Sequence, residues 1–185
     1  MREALLPGTI DENTRATLES AGGSGASDEE ALGGPGRECL DIDDIFSRSF
    51  GDPFEDLVVD LAAQSDLPQE DVRKALHIDP RTLPGNCLAS TENDEGGAHY
   101  ELRGIGSDII AVRVEGNSAS LAGFYHGCQL TVLEPYQGRG LGTALAAWKF
   151  IFYGGFPCWD LDEASYSPRG MGVHRAAFDA LTALL

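Results

Sequence analysis

The stretch Leu130–Phe150, LTVLEPYQGRGLGTALAAWKF, decides how the rest of the chain is read. Leu130-Thr131-Val132-Leu133 has the composition of a strand and runs into a turn at Glu134-Pro135. Gln137-Gly138-Arg139-Gly140-Leu141-Gly142 then opens directly into a helix on which Leu141, Leu145, Trp148 and Phe152 share one face. Glycine lets backbone N–H groups crowd an anion with no Cβ in the way, and a helix N-terminus adds partial positive charge. Such a strand, loop and helix suit a phosphate group. The nucleotide alternatives each lack a part. No Gly-Lys-Ser/Thr closes the loop as in a triphosphate P-loop. The spacing is not Gly-x-Gly-x-x-Gly, and no acid-ended strand follows at the interval a dinucleotide fold needs.

Upstream of the loop, from His99, the hydrophobic period is two. Ile109–Val114 reads as a strand, Glu115-Gly116-Asn117 as a turn, Ser118–Tyr125 as a second strand and Gln129–Leu133 as a third. Before them the period is helical, with signals beginning near Asp41. Asp52-Pro53-Phe54-Glu55 supplies an N-cap, a first-turn proline and an acid, and Phe54, Leu57, Val58 and Leu61 fall on one face. A second short helix starts at Pro68, packs Val72 and Leu76, and stops at Asp79-Pro80. Downstream, Pro157–Leu161 reads as a strand parallel to Gln129–Leu133 through a right-handed crossover. Ser167-Pro168 caps a last helix with Val173, Ala177, Leu181 and Leu184 as its core stripe. The expected class is α/β, a mixed, mostly antiparallel sheet flanked by helices.

At 185 residues one domain is expected. Thr14–Arg37, rich in Gly, Ser, Ala and acid, reads as a linker, so residues 1–40 form a flexible N-terminal segment. Residues 41–185 form the domain, with 41–95 its helical part and 99–185 its ligand-binding core. Leu5–Ile10 reads as a short strand.

Net charge is −17, from 30 acidic against 13 basic residues. That balance disfavours nucleic acid, whose binding rests on Lys and Arg, and favours a cationic partner. The four cysteines (Cys39, Cys87, Cys128, Cys158) lack C-x-x-C spacing and the four histidines are scattered, so no metal site is expected. The cysteines read as reduced, mostly buried thiols. No apolar leader or membrane-length run occurs, and a cytoplasmic, membrane-free protein is expected.

Gln/Arg-x-x-Gly-x-Gly between a strand and a helix resembles the pyrophosphate-binding segment of the GNAT acyl-CoA N-acyltransferases, over about residues 108–178. The resemblance implies acetyl-CoA as co-substrate and no metal. It implies that Val132 and Leu133 offer backbone groups to the pantetheine arm, in a gap beside their strand. Gln137, Gly138, Arg139, Gly140, Gly142 and Thr143 would wrap the pyrophosphate, with Arg139 pointing outward. Acyl transfer needs a neutral amine, so a base must take its proton. Some members use a glutamate eleven residues before the motif; that position here is His126, with Glu134 the alternative. The family places a tyrosine near the leaving thiolate, in Asn-x-x-Ala-x-x-x-Tyr. The similar stretch here, Ser167 to His174, substitutes His174, with Tyr166 the other donor.

Two departures accompany the likeness: an atypical N-terminal helical region, and no C-terminal strand pair after the last helix. The implied function is an acetyl-CoA-dependent N-acetyltransferase acting by direct attack in a ternary complex. A cationic amine acceptor is expected: a polyamine, an amino-sugar or an amine of a basic protein. A homodimer is left open. The alternative is a non-catalytic acyl-CoA-binding or acidic protein-interaction module on a GNAT scaffold.

Overall fold

The computed structural model describes residues 5–22, 52–153 and 168–185. The chain is α/β. Strands β1 (Asn86–Ser90), β2 (Ala98–Ile105), β3 (Asp108–Glu115), β4 (Ser118–His126) and β5 (Gln129–Val132) form one sheet in the order β1-β2-β3-β4-β5, and every pairing is antiparallel. The expected strands at Ile109–Val114, Ser118–Tyr125 and Gln129–Leu133 are all present, and the sheet also extends upstream of His99 to Asn86. The parallel strand expected at Pro157–Leu161 lies outside the described residues.

Helices cover both faces. Helix α1 spans Glu12–Gly22, α2 Pro53–Ser65, α3 Gln69–Ile78, α4 Leu141–Tyr153 and α5 Pro168–Thr182. Asp52 caps α2 by accepting from the Phe54 N–H at 3.0 Å, as its sequence predicts. Leu57, Val58 and Leu61 of α2, with Val72 and Leu76 of α3, pack on Ile110, Val112, Leu121 and Phe124 of the sheet. Each such side chain contributes roughly 1.5–3 kcal/mol on burial. The opposite face carries Leu102, Ile109, Ala111, Ala122 and Tyr125 under α4 and α5. Three layers result, with the sheet in the middle.

Three expectations change. Residues 5–10 form no strand, and the stretch read as linker begins inside helix α1. Leu5 and Leu18 are buried in the core shared with α4 and α5, and Trp148 Nε1 donates to the Leu5 carbonyl at 2.8 Å. Leu18 from the start of the polar, glycine-rich stretch and Leu5 ahead of it thus seat this segment. Helix α4 is enclosed on most sides rather than on one stripe. Phe152 is 50% exposed, whereas Lys149 is fully buried and donates to the Ser107 carbonyl at 2.7 Å.

A bulge in β4 decides which side chains face which layer. Ala111 pairs with Gly123 and Val112 with Leu121, which leaves Ala122 as the extra residue. Ala119 and Leu121 face α2 and α3 before the bulge; Phe124 faces them after it. The alternation has shifted by one, so His126, in phase with Phe124, also faces α2. Next to the bulge β4 and β5 run close: a Cβ on Gly123 would sit 2.6 Å from the Thr131 carbonyl oxygen and 3.2 Å from Val132 Cα. Gly123→Ala is expected to lower stability by about 1–3 kcal/mol. A denaturant midpoint equal to that of the wild type would show that the strands separate without cost.

Candidate functional site

The loop between β5 and α4 opens a cleft of about 490 Å³, within the roughly 300–1,000 Å³ of small-molecule sites. Leu130 and Val132 of β5 form one wall, and Tyr136 with the glycine loop and first turn of α4 forms the floor. Arg169, Gly170, Gly172, Val173 and Ala176 of α5 close the other side. Six of the eight residues expected to hold a cofactor line it: Val132, Gln137, Gly138, Gly140, Gly142 and Thr143.

The local chain explains the cradle. Gly138 and Gly140 have φ of +75° and +85°, the left-handed region that side chains disfavour. The first helical hydrogen bond of α4 runs from the Ala144 N–H to the Gly140 carbonyl, 3.1 Å. The N–H groups of Leu141, Gly142 and Thr143 therefore precede any intrahelical acceptor and gather at the helix end that attracts anions. Gly142 lies flat against α5: an added Cβ would meet Val173 Cγ1 at 3.4 Å.

Two expected ligand-holding positions, Leu133 and the outward-pointing Arg139, lie outside the lining. Leu133 does not line the cleft, and both its backbone groups are used: its N–H donates to the Ala122 carbonyl at 3.0 Å and its carbonyl accepts from Tyr136 at 2.9 Å. The neighbouring Val132 has the opposite phase, toward the outer edge of β5, where its carbonyl accepts from Gln137 Nε2 at 3.0 Å. Arg139 is exposed and outside the lining. Arg169, which the sequence reading missed, supplies a cation at the cleft instead. Its signal was a basic residue directly after the Ser167-Pro168 helix start.

His126 stands apart from this cleft, on the α2 side of the sheet. Its Nδ1 lies 3.1 Å from Asp108 Oδ1 and 3.6 Å from Asp60 Oδ2. The His126 and Asp60 side chains are 16% and 50% exposed, whereas Asp108 is 1% exposed. Gln64 Nε2 donates to Asp108 Oδ2 at 3.2 Å, and Lys149 Nζ lies 3.9 Å from Asp108 Oδ1. Burial pushes the Asp108 carboxyl above its usual range, against the pull of His126 and Lys149. Asp60, Asp108 and His126 offer ligand atoms within 4.8 Å of one another, a grouping the scattered sequence positions did not reveal. Glu134, the alternative base, is exposed in the turn before the loop and outside the cleft lining.

His174 is buried, and it does not line the cleft. Its Nδ1 faces the Gly170 carbonyl at 2.8 Å, which only accepts, so the proton sits there. Its Nε2, 2.7 Å from the Tyr125 hydroxyl, accepts from it. A neutral imidazole so engaged ties α5 to β4 and has no proton directed at the cleft. Burial lowers its pKa from 6.5, against the opposing Gly170 hydrogen bond. The unfolded chain then binds the extra proton, so this stability is full above about pH 6.5 and is lost as pH falls toward the folded value. Denaturant titrations should show stability falling by up to about 1.4 kcal/mol per pH unit below that point. His174→Gln should flatten this limb; an unchanged slope would remove His174 as its source.

Tyr166, the other expected donor, lies outside the described residues. Tyr136, unremarked in sequence, lines the cleft with its hydroxyl 3.1 Å from Ser120 Oγ. Among the described cysteines, Cys87 is a free, exposed thiol and Cys128 is disulfide-bonded, which corrects the expectation of reduced, mostly buried thiols. No described helix is long and apolar enough to cross a membrane. No protein-family model, curated protein or solved structure matches the chain.

Proposed function

We propose that the chain is an N-acyltransferase that takes its acyl group from acetyl-CoA, as the GNAT-like loop motif implies. The observation that carries this reading is the cleft at the N-terminus of α4, where Gln137, Gly138, Gly140, Gly142 and Thr143 converge with Arg169. The residues present fit the group. Positive-φ glycines, first-turn N–H groups that precede any intrahelical acceptor and a cation suit a pyrophosphate, and the outward-facing Val132 suits an amide-bearing arm. Acetyl-CoA would supply the activated thioester.

The chain's own residues divide the remaining work. Gln137 already occupies the Val132 carbonyl and must yield it to a ligand amide. His126, held against Asp108, takes the proton of the attacking amine. Half-exposed Asp60 beside it attracts a protonated amine before attack, consistent with the charge of −17. Cradle and base lie on opposite faces of the sheet, separated by the four-residue strand β5, the last of the sheet among the described residues. The acyl end would therefore pass the outer edge of β5.

Calorimetric titration with acetyl-CoA, followed by thiol release in the presence of spermidine, an amino-sugar and a lysine-rich peptide, tests the proposal. Binding together with amine-dependent thiol release is expected, and an absence of binding would end the reading. Binding without turnover on any amine would favour the second reading, a non-catalytic acyl-CoA-binding module. The sealed position of His174, with no proton for a leaving thiolate, is the observation on that side.

A further inference from the structure

Nothing in the loop motif points to Asp108, yet no carboxylate among the described residues is more deeply buried beside a histidine. It begins β3, against the end of β4, and reaches His126 Nδ1 at 3.1 Å because the β4 bulge turns that side chain toward α2. Three further groups face Asp108: Gln64 of α2 donates to it, Lys149 of α4 brings an ammonium, and the more distant Asp60 of α2 is a like charge that opposes them. Lys149 is itself fixed, with its ammonium on the Ser107 carbonyl at 2.7 Å and 5.4 Å from the centre of the Tyr125 ring. A buried carboxylate that receives the Gln64 N–H and faces an ammonium has no proton of its own to give and acts as an acceptor. It therefore requires the proton of His126 to be on Nδ1.

We infer that Asp108 is the positioning residue of His126: it fixes the Nδ1–H tautomer and ring orientation, and so leaves the Nε2 lone pair as the proton acceptor. This role rests on the acyltransferase reading for the reaction it serves. His126 Nε2 has no hydrogen-bond partner among the described residues, and the side chain reaches solvent. The proton balance is simple. The amine nitrogen bonds to the acyl carbon as its N–H bond breaks toward Nε2. The C–S bond breaks and the electron pair leaves with the CoA thiolate, which solvent protonates. The imidazolium is stabilised by the Asp108 charge until solvent removes its proton. The same three side chains could be read as a cation site, but the Lys149 ammonium 3.9 Å from Asp108 Oδ1 opposes a second positive charge there.

Nitrogen-15 NMR of the full chain reads the tautomer directly. In the wild type His126 is expected as Nδ1–H, and Asp108→Ala should return it to the Nε2–H form that solvated histidine favours. Thiol release by Asp108→Ala should fall roughly tenfold or more, part of the ~10²–10⁴ that a general base contributes, with acetyl-CoA affinity unchanged. Wild-type His126 in the Nε2–H form overturns the inference without any variant. So does Asp108→Ala with wild-type tautomer and rate, or Zn²⁺ or Mn²⁺ that binds at Nδ1 and survives dialysis. Failure of acetyl-CoA to bind the wild type would instead strike the acyltransferase reading, and the tautomer result would still decide the role of Asp108.

Discussion

His126→Ala is expected to slow amine-dependent thiol release by roughly 10²–10⁴-fold while leaving acetyl-CoA affinity unchanged. The two effects separate because the imidazole is not part of the cleft lining; it lies across the sheet, against α2. Its loss removes a proton acceptor needed only as the amine attacks, so kcat and kcat/KM for the amine should fall together while the donor is held as before. Rising pH should recover part of the rate, because the amine then arrives already neutral. A variant as fast as the wild type near pH 7 would sink the assignment, and a parallel loss of acetyl-CoA binding would show that His126 shapes the cleft rather than the chemistry.

The joint substitution Gly138→Val and Gly140→Val should weaken acetyl-CoA binding by roughly 30- to 700-fold. Each valine at a φ of +75° or +85° costs about 1–2 kcal/mol in the left-handed region, and about 1.4 kcal/mol is tenfold in affinity. At Gly138 the loss is a backbone effect and not a collision, because a Cβ there would meet nothing within 4 Å. If the loop keeps its shape the strain appears as lost stability; if it relaxes, the N–H groups leave the ligand. Calorimetric titration and denaturant unfolding on the same samples measure both. Unchanged affinity and unchanged stability together would show that this conformation does not matter to binding.

How far residues speak for themselves depends on the range of the interaction that places them. Asp52, Leu57, Val58, Leu61, Val72 and Leu76 were legible because caps and helical faces are local. The loop from Gln137 to Thr143 was legible for the same reason. Lys149 and Phe152 were not: a lysine is buried because the Ser107 carbonyl and Asp108 are brought to it from far along the chain. Alternation along β4 foretold the strand but not the extra residue Ala122, and so could not tell on which side His126 would emerge. Leu133 differs from Val132 by one step of backbone phase, which alternation of side chains does not assign to the ladder or to the open side. His174 sits on its helix as expected, and its withdrawal from the cleft follows from Tyr125, on a different element.

The strand order has a consequence in time. Among the described residues each strand pairs only with its neighbour in sequence, so the sheet from Asn86 to Val132 closes through short loops. Low contact order of this kind favours rapid assembly. As the chain emerges from the ribosome, the meander and its His126–Asp108 contact can form before α4 and α5 exist. The cleft cannot, because its far wall is α5. The His126–Asp108 pair would form first and the cleft last, and an interrupted synthesis would yield a sheet without the pocket that the proposed donor needs.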